Sequence, residues 1–247
     1  WLPEARWFAL PLAVLAAFWL LLPRGVPGKP LAALLWLPLL WPDRQLPGHG
    51  AADITVLDVG QGLSVLVRTR HHALLYDMGP AVPDGYDAGE RVVLPALHAL
   101  GVRRVHTMVA SHADLDHAGG LAAVRRRFPA APLFAPEHAG LEGAAPCLAG
   151  SSWAVDGVGF RFLHPPLHFP DFRNEASCVL RIDTAHGAVL LAGDIGAVVE
   201  RELARADPAG VRAEVVLAAH HGSGKSSDPL FVAATGARHA LVSTGHG

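Results

Sequence analysis

One short stretch carries the densest chemistry in this chain. It runs Ser111–Gly120 and places His112, Asp114, Asp116 and His117 within six residues, directly after an apolar segment. Imidazole nitrogens and carboxylate oxygens packed this closely are costly to hold together without a cation. Two-metal hydrolytic sites need such a supply of nitrogen and oxygen ligands. The stretch therefore predicts a divalent metal centre that can activate water and hold a phosphodiester.

Three further polar groups follow predicted apolar strands. They are Asp58, Asp194 and the pair His220-His221. A lone Asp after a strand is more often a turn or helix cap, and a His pair is more often a solvated loop. However, the loops at the carboxyl ends of strands are where α/β proteins gather their sites. We therefore expect these groups to join the metal centre.

The elements that must position these residues are short strands alternating with helices. Strands are predicted at 54–59, 64–68, 73–77, 105–110, 159–163, 178–183, 188–192, 215–219 and 239–243, and helices at 92–100, 121–128, 197–205 and 229–235. Two β-rich halves, each flanked by helices, predict two sheets packed face to face with helices outside.

Composition limits the possible partners. The 247 residues are 51% hydrophobic and carry a net charge of −2, so no global basic field attracts nucleic acid. Any DNA contact must be local or pass through bound metal. Cys147 and Cys178 are isolated, which excludes a zinc finger and a multi-disulfide scaffold. The pair fits two small buried residues better than a disulfide, although a disulfide stays open for a domain in an oxidising compartment.

Residues 1–47 differ from the rest of the chain. Segment 7–22 is an uncharged apolar run that contains Trp7 and Trp19, and a second, shorter run covers 31–41. Aromatic residues of this kind suit membrane interfaces, whereas a signal peptide fits poorly because no basic start precedes the run. We predict a membrane-associated segment and linker over 1–47 and one domain over 48–247. The chain begins with Trp1 rather than Met and stops at 243–247 without a capping or helical ending. We therefore expect a fragment of a longer protein whose domain is truncated at its C-terminus.

The pattern His112-x-Asp114-x-Asp116-His117 resembles the metal signature of the metallo-β-lactamase superfamily. Within it, other segments resemble the extracellular or periplasmic domain of ComEC-type competence proteins, which are DNA-uptake channels. Those segments are 57–62, 76–79, 193–194 and 220–223. The resemblance implies an α/β fold, a four-layer αββα sandwich, that binds two divalent metal ions.

The resemblance also implies a role for each site residue. His112 and Asp114 would bind one ion, and Asp194 would bridge the two. Asp116 and His117, both also catalytic, would bind the other ion, completed by His221 or, less favourably, by His220. Asp58 would orient the loop 112–117 and assist catalysis.

Two departures from the superfamily pattern affect the metal. Asp114 stands where the superfamily usually has His, and a carboxylate hardens the site, which favours Mn²⁺ while leaving Mg²⁺ and Zn²⁺ possible. The usual third-motif His is replaced by segment 174–177, with Asn174 and Ser177 as the candidate residues. One ion is therefore expected to bind weakly, or only together with substrate.

The loop after the His pair offers hydrogen-bond donors for a phosphate. Ser223, Lys225 and Ser226 are the candidates. Gly224-Lys225-Ser226 resembles the end of a nucleotide-binding P-loop, but its first glycine would fall at Ala219. That mismatch argues against a nucleotide cradle.

The resemblance implies a metal-dependent nuclease that degrades the non-transported strand during natural transformation. Its partners would be DNA, as a single strand or a duplex being unwound, the membrane channel portion of the same polypeptide, and competence DNA-receptor proteins. Such a protein lies in the cell (inner) membrane with this domain on the extracellular or periplasmic side. Two alternatives stay open: a non-catalytic DNA-guiding domain, and a metallo-hydrolase of small esters or lactones.

Overall fold

The computed structural model describes residues 7–23, 25–40, 46–83, 85–170 and 173–245. The chain divides into two compact units: Trp1–Leu46 with Ala99–Gly101, and Pro47–His98 with Val102–Gly247. The boundary between residues 47 and 48 that composition indicates, and the truncation of the domain, stay predictions.

The first unit is helical. Helix α1 spans Ala9–Leu21 and is followed by α2 at Lys29–Ala32, a 3₁₀ turn at Ala33–Trp36 and α3 at Leu37–Leu40. Large apolar side chains of α1 are exposed, Leu21 by 86%. Its 13 residues extend only about 20 Å. Within the part of the chain that the structure describes, no helix is long and apolar enough to cross a membrane.

The second unit is built on two sheets. Twelve strands among the described residues form two six-stranded sheets in the orders β1-β2-β3-β4-β5-β6 and β12-β11-β10-β9-β8-β7. The first sheet contains β1 Asp53–Val56, β2 Val65–Arg68, β3 Ala73–Tyr76, β4 Thr107–Val109, β5 Leu133–Ala135 and β6 Ala144–Pro146. The second contains β7 Ser152–Val155, β8 Val158–His164, β9 Val179–Thr184, β10 Gly187–Leu191, β11 Val215–Leu217 and β12 His239–Leu241.

Both sheets contain parallel strands that end at the functional segments. Strands β3 and β4 are parallel, and so are β10 and β11. Asp77 follows β3, Ser111 comes shortly after β4, and Asp194 shortly after β10. A short 3₁₀ segment, Ala219–Gly222, follows β11. Because parallel strands end at the same edge of a sheet, these segments are gathered together.

Apolar side chains fill the space between the sheets and cover their outer faces. Tyr76, Phe160 and Leu180 belong to one buried cluster drawn from both sheets. Val179 of β9 and alternate residues of β10, such as Leu190, form a second cluster with residues of the outer helices. The helices are α4 Leu94–Ala99, α5 Leu115–Ala118, α6 Leu121–Arg127, α7 Ala197–Ala206, α8 Pro208–Val211 and α9 Pro229–Thr235.

The predicted two-sheet α/β fold is confirmed, and one sequence expectation needs correction. Cys147 and Cys178 are both buried, as expected, but they are joined in a disulfide. Cys147 directly follows β6 and Cys178 directly precedes β9. The bond therefore ties the edge of the first sheet to the second sheet, which a reading of isolated small residues does not anticipate.

Candidate metal centre

Four side chains from three segments converge at the carboxyl ends of the parallel strands of the two sheets. Asp116 and His117 lie on α5, Asp194 follows β10, and His221 lies in the 3₁₀ segment after β11. One ligand atom of each lies within 4.8 Å of those of the other three. His117 Nε2 is 3.2 Å from Asp194 Oδ1, and His221 Nε2 is 3.3 Å from Asp116 Oδ2. The structure thus groups two imidazoles with two carboxylates.

The outer nitrogens of the two imidazoles are held by acceptors. His117 Nδ1 is 2.8 Å from Asp77 Oδ2, and His221 Nδ1 is 2.8 Å from the Ser243 carbonyl oxygen. In the neutral rings each Nδ1–H therefore donates outward, and both Nε2 lone pairs face inward. Those Nε2 atoms are only 3.2 Å apart. Two lone pairs at this distance repel each other unless a proton or a cation lies between them.

The ligand spacing fits a divalent cation. Metal–ligand distances of about 2.0–2.2 Å place the ligand atoms of a tetrahedral site about 3.4 Å apart. The distances among Asp116, His117, Asp194 and His221 are close to that value. The donor set of imidazole nitrogen and carboxylate oxygen also suits a divalent transition metal. The residues present therefore fit the group that the resemblance implies.

Asp77 is the carboxylate behind the centre. It is fully buried, and it accepts hydrogen bonds from Ser111 N at 2.6 Å, from Ser111 Oγ at 2.8 Å and from His117 Nδ1. The sequence pattern indicated Asp58 for the orienting role, but Asp58 is exposed and accepts a hydrogen bond from Gly60 N at 3.3 Å. Asp77 was missed, although its place directly after the buried strand β3 was a usable signal.

His112 and Asp114 lie beside the cluster without completing it. His112 is buried, and among the described residues its Nε2 has no hydrogen-bond partner. The carboxylate oxygen Asp114 Oδ2 lies 3.8 Å from His112 Nε2. Neither residue belongs to the four-residue group. The predicted ligands of one ion therefore lie close together, whereas His112 and Asp114, the predicted ligands of the other ion, lie outside that group.

The third-motif candidates support the ligands from behind. Ser177 Oγ accepts a hydrogen bond from Asp194 N at 3.1 Å, donates to Asn174 O at 2.7 Å and lies 3.4 Å from His112 Nδ1. Asn174 Nδ2 is 3.5 Å from His220 Nε2. His220 therefore faces Asn174, whereas its neighbour His221 belongs to the four-residue cluster.

The proposed phosphate donors differ in availability. Ser226 Oγ lies 2.9 Å from both Ala219 O and Ser223 O, so its hydroxyl is used within the loop. Ser223 Oγ accepts a hydrogen bond from Lys225 N at 3.3 Å. Lys225 is exposed. Lys225 is therefore the most accessible of the three to a ligand.

The electrostatics favour a bound positive charge. Burial lowers the pKa of His117, but the Asp77 and Asp194 carboxylates outweigh it and raise this pKa to about 10. The hydrogen bond from His221 lowers the pKa of Asp116 to about 2. Without a cation the cluster therefore retains a proton at neutral pH. A metal ion must displace that proton, so metal affinity rises with pH.

Two face-to-face sheets with helices outside, and a His/Asp cluster at their common edge, define a metallo-hydrolase fold. The sequence family described as the Metallo-beta-lactamase superfamily matches residues 57–246. The chain belongs to that superfamily.

The curated relatives are much longer than this chain. Competence protein ComA of Neisseria gonorrhoeae is 38% identical over 237 residues, which are 96% of this chain and 33% of that protein. Recombination protein 2 of Haemophilus influenzae is 32% identical over 195 residues, which are 78% of this chain and 24% of that protein. The chain thus spans a third or less of the length of these relatives.

A solved structure supports the fold. The crystal structure of metallo-beta-lactamase SMB-1 bound to 2-mercaptoethanesulfonate superposes with a TM-score of 0.51 and 16% sequence identity. It covers 72% of this chain and 82% of SMB-1. At this identity the similarity shows the shared fold alone.

Proposed function

We propose that this chain is the metal-dependent nuclease domain of a DNA-uptake protein, where it hydrolyses phosphodiester bonds of the strand that is not transported. The observation that carries the proposal is the group of Asp116, His117, Asp194 and His221, whose ligand atoms lie within 4.8 Å of one another. The similarity to proteins named for competence and recombination supports DNA as the substrate.

The chain's own residues would hold the ions and the substrate. Asp116, His117 and His221 would bind one cation, His112 and Asp114 the other, and Asp194 both. When bound, divalent cations polarise phosphoryl oxygens and lower the pKa of water. Asp77 keeps His117 in the tautomer that presents Nε2. Exposed Lys225 would contact a phosphate oxygen. The carboxylates favour Mn²⁺ over Zn²⁺.

The disulfide supports a location outside the cytoplasm. Disulfides persist in oxidising compartments and are rare in the cytosol, and Cys147 and Cys178 are bonded. We therefore place the domain on the extracellular or periplasmic side of the inner membrane. Exposed apolar side chains of α1, among them Leu10, Val14 and Phe18, would contact lipid or the channel portion of the same polypeptide. Competence DNA-receptor proteins would deliver the DNA.

The test is cleavage of end-labelled single- and double-stranded DNA in Mn²⁺, Mg²⁺ or Zn²⁺. We expect metal-dependent cutting, strongest in Mn²⁺, that Asp116→Asn reduces to background. Asp53→Asn is the matched control, because Asp53 is an exposed carboxylate at the start of β1, paired with Arg68. Cutting that survives Asp116→Asn would contradict the proposal.

A second candidate is a domain that guides DNA without cutting it. The observation that favours it is the third motif, where Ser177 and Asn174 stand in place of a ligating imidazole. A guiding domain would bind Mn²⁺ and DNA without hydrolysis, and transformation would survive Asp116→Asn. A nuclease would lose strand degradation in the same variant.

A further inference from the structure

The metal centre has two unequal halves. Asp116, Asp194 and two imidazoles form a compact group that carries two carboxylates. The other half is formed by His112 and Asp114, where the buried His112 Nε2 has no hydrogen-bond partner within the described residues. His112 Nδ1 is already in contact with Ser111 Oγ at 3.0 Å. A bare, buried Nε2 beside a carboxylate indicates a place for a further ligand.

A cation of the chain itself lies against this second half. Arg173 Nη2 is 3.2 Å from Asp114 Oδ1. The other oxygen, Asp114 Oδ2, is the one directed toward His112 Nε2, at 3.8 Å. One oxygen of Asp114 therefore contacts Arg173, and the other faces the imidazole nitrogen of His112 that could bind a metal ion. The guanidinium therefore offsets part of the negative charge of Asp114 before any metal ion binds.

The 3₁₀ turn that begins at Arg173 is held at Glu175, whereas the Arg173 side chain is open to solvent. The 3₁₀ turn Arg173–Ala176 is held by His164 Nε2, 2.8 Å from Glu175 O, and by Gly196 N, which donates to Glu175 Oε2 at 3.0 Å. The Arg173 side chain is 78% exposed. An incoming ligand can therefore reach the guanidinium without a rearrangement of the turn.

The guanidinium has opposite effects on the two ligands that this half would receive. It repels a divalent cation near Asp114, because like charges oppose each other even through partly solvated surroundings. It attracts a phosphodiester, because its planar donors match two phosphate oxygens. A bound phosphodiester would also bring negative charge beside Asp114 and offset the repulsion.

We propose that Arg173 couples the binding of the second cation to the binding of the phosphodiester. Without substrate the chain holds one cation tightly, in the group with Asp194, and binds the second weakly. The phosphodiester engages Arg173 and makes the His112–Asp114 half favourable for the second cation. This inference rests on the proposed function, because it takes the substrate to be a phosphodiester.

Equilibrium dialysis of Mn²⁺ tests the coupling without measuring cleavage. The probes are Mn²⁺ alone and Mn²⁺ with a short phosphorothioate-linked oligothymidylate. In the unmodified chain we expect one tight ion, and a second whose affinity rises about ten-fold when the oligonucleotide is added. In Arg173→Gln the second ion should bind about five-fold more tightly without oligonucleotide, with little further gain on adding it.

Arg205→Gln is the matched control, because it removes the same charge from the last turn of α7, and it should behave as the unmodified chain. Two equally tight ions without oligonucleotide, an Arg173→Gln variant that matches the unmodified chain, or the absence of Mn²⁺ binding would each overturn the coupling. If the coupling is present but no DNA is cut, the nuclease proposal fails while the role of Arg173 stands.

Discussion

At the scale of single residues, Asp77 positions one ligand ring and the start of the metal-binding loop. Its two carboxylate oxygens accept from Ser111 and from His117, which fixes the start of the 112–117 loop and one ligand ring together. Because the ring donates through Nδ1, Nε2 is left to bind a cation. A buried carboxylate in this position therefore acts on metal affinity through His117.

The substitution Asp77→Asn should weaken metal binding. An amide at this position lacks the negative charge that supports His117, so we expect the affinity for Mn²⁺ to fall about 10–100-fold. Asp58→Asn should change that affinity less than about two-fold, since its described hydrogen bond is to Gly60 N. Isothermal titration of the folded variants with Mn²⁺ measures both. An equal loss in the two variants would contradict the assignment of the orienting role to Asp77.

Residue types and spacing predicted most of the candidate ligands. They did not predict which of those ligands form the compact group and which lie beside it. The dense run from His112 to His117 was visible because the pattern is local. Whether His220 or His221 enters the cluster depends on the backbone, since both residues have positive φ, 51° and 55°. The role of Asp77 depends on how β3 lies beside β4. Such information is not present in a single local pattern.

At the scale of elements, the turn Gly60–Gly62 supports two ligand segments. Leu63 N donates to Asp116 O at 3.1 Å, and Ser243 Oγ donates to Gly62 O at 2.6 Å. Ser243 in turn receives the hydrogen bond of His221. The turn therefore connects the backbone of α5 to the residue behind His221, and a methyl group at Gly62 has no room.

Gly62→Ala should disturb the centre more than Gly60→Ala. Both glycines have positive φ, 133° and 77°, but a Cβ at Gly62 would lie 2.3 Å from Asp116 O, whereas a Cβ at Gly60 meets nothing within 4 Å. Gly60→Ala should cost about 1 kcal/mol of unfolding free energy from backbone strain alone. Gly62→Ala should cost more and also weaken Mn²⁺ binding. Urea unfolding and metal titration test this, and equal effects would refute it.

The loop before β9 should make stability depend on pH. Burial lowers the pKa of His164, which lies at the end of β8, to about 4, despite its hydrogen bond to Glu175 O. The unfolded chain takes up this proton near pH 6.5, so the stabilisation is complete above that value and is lost as pH falls toward 4. By about pH 5 the loss from this group should reach about 1–2 kcal/mol.

Thermal melts between pH 7 and pH 4 measure that dependence. His164→Gln removes the titrating group, so its melting temperature should fall less steeply than that of the unmodified chain. His72, whose pKa burial also lowers to about 4, keeps part of the slope in both proteins. Parallel curves for the two proteins would count against this origin of the pH dependence.

Element prediction succeeded where apolar runs are long. The helix at Pro229–Thr235 and the strands β8, β9 and β10 follow from such runs. Strands β5 and β6 were missed because β5 lies between Pro132 and Pro136 and β6 ends in Pro146, and proline argues against a strand. Strand β5 pairs in parallel with β4, and β6 pairs in parallel with β5, a register that tertiary packing imposes.

At the scale of the whole molecule, the disulfide joins the two sheets. Cys147 and Cys178 are 31 residues apart in sequence and fully buried. Closing a loop of that length removes unfolded-state entropy worth about 3–4 kcal/mol. Cys147→Ala with Cys178→Ala should therefore lower the unfolding free energy by about that amount, as read from urea titrations. A reductant should lower the urea midpoint of the unmodified chain and leave that of the double variant unchanged. An unmodified chain whose midpoint does not move in reductant would contradict a stabilising disulfide.

Asp116, His117, Asp194 and His221 would hold a cation on which the proposed DNA cleavage depends. The most direct measurement follows Mn²⁺ binding and cleavage of labelled single-stranded DNA in the same samples across a Mn²⁺ titration, for the unmodified chain and for Asp194→Asn. We predict that cleavage appears as the ion binds and that both are lost in the variant. Full Mn²⁺ occupancy without cleavage, or cleavage that persists in Asp194→Asn, would contradict the claim.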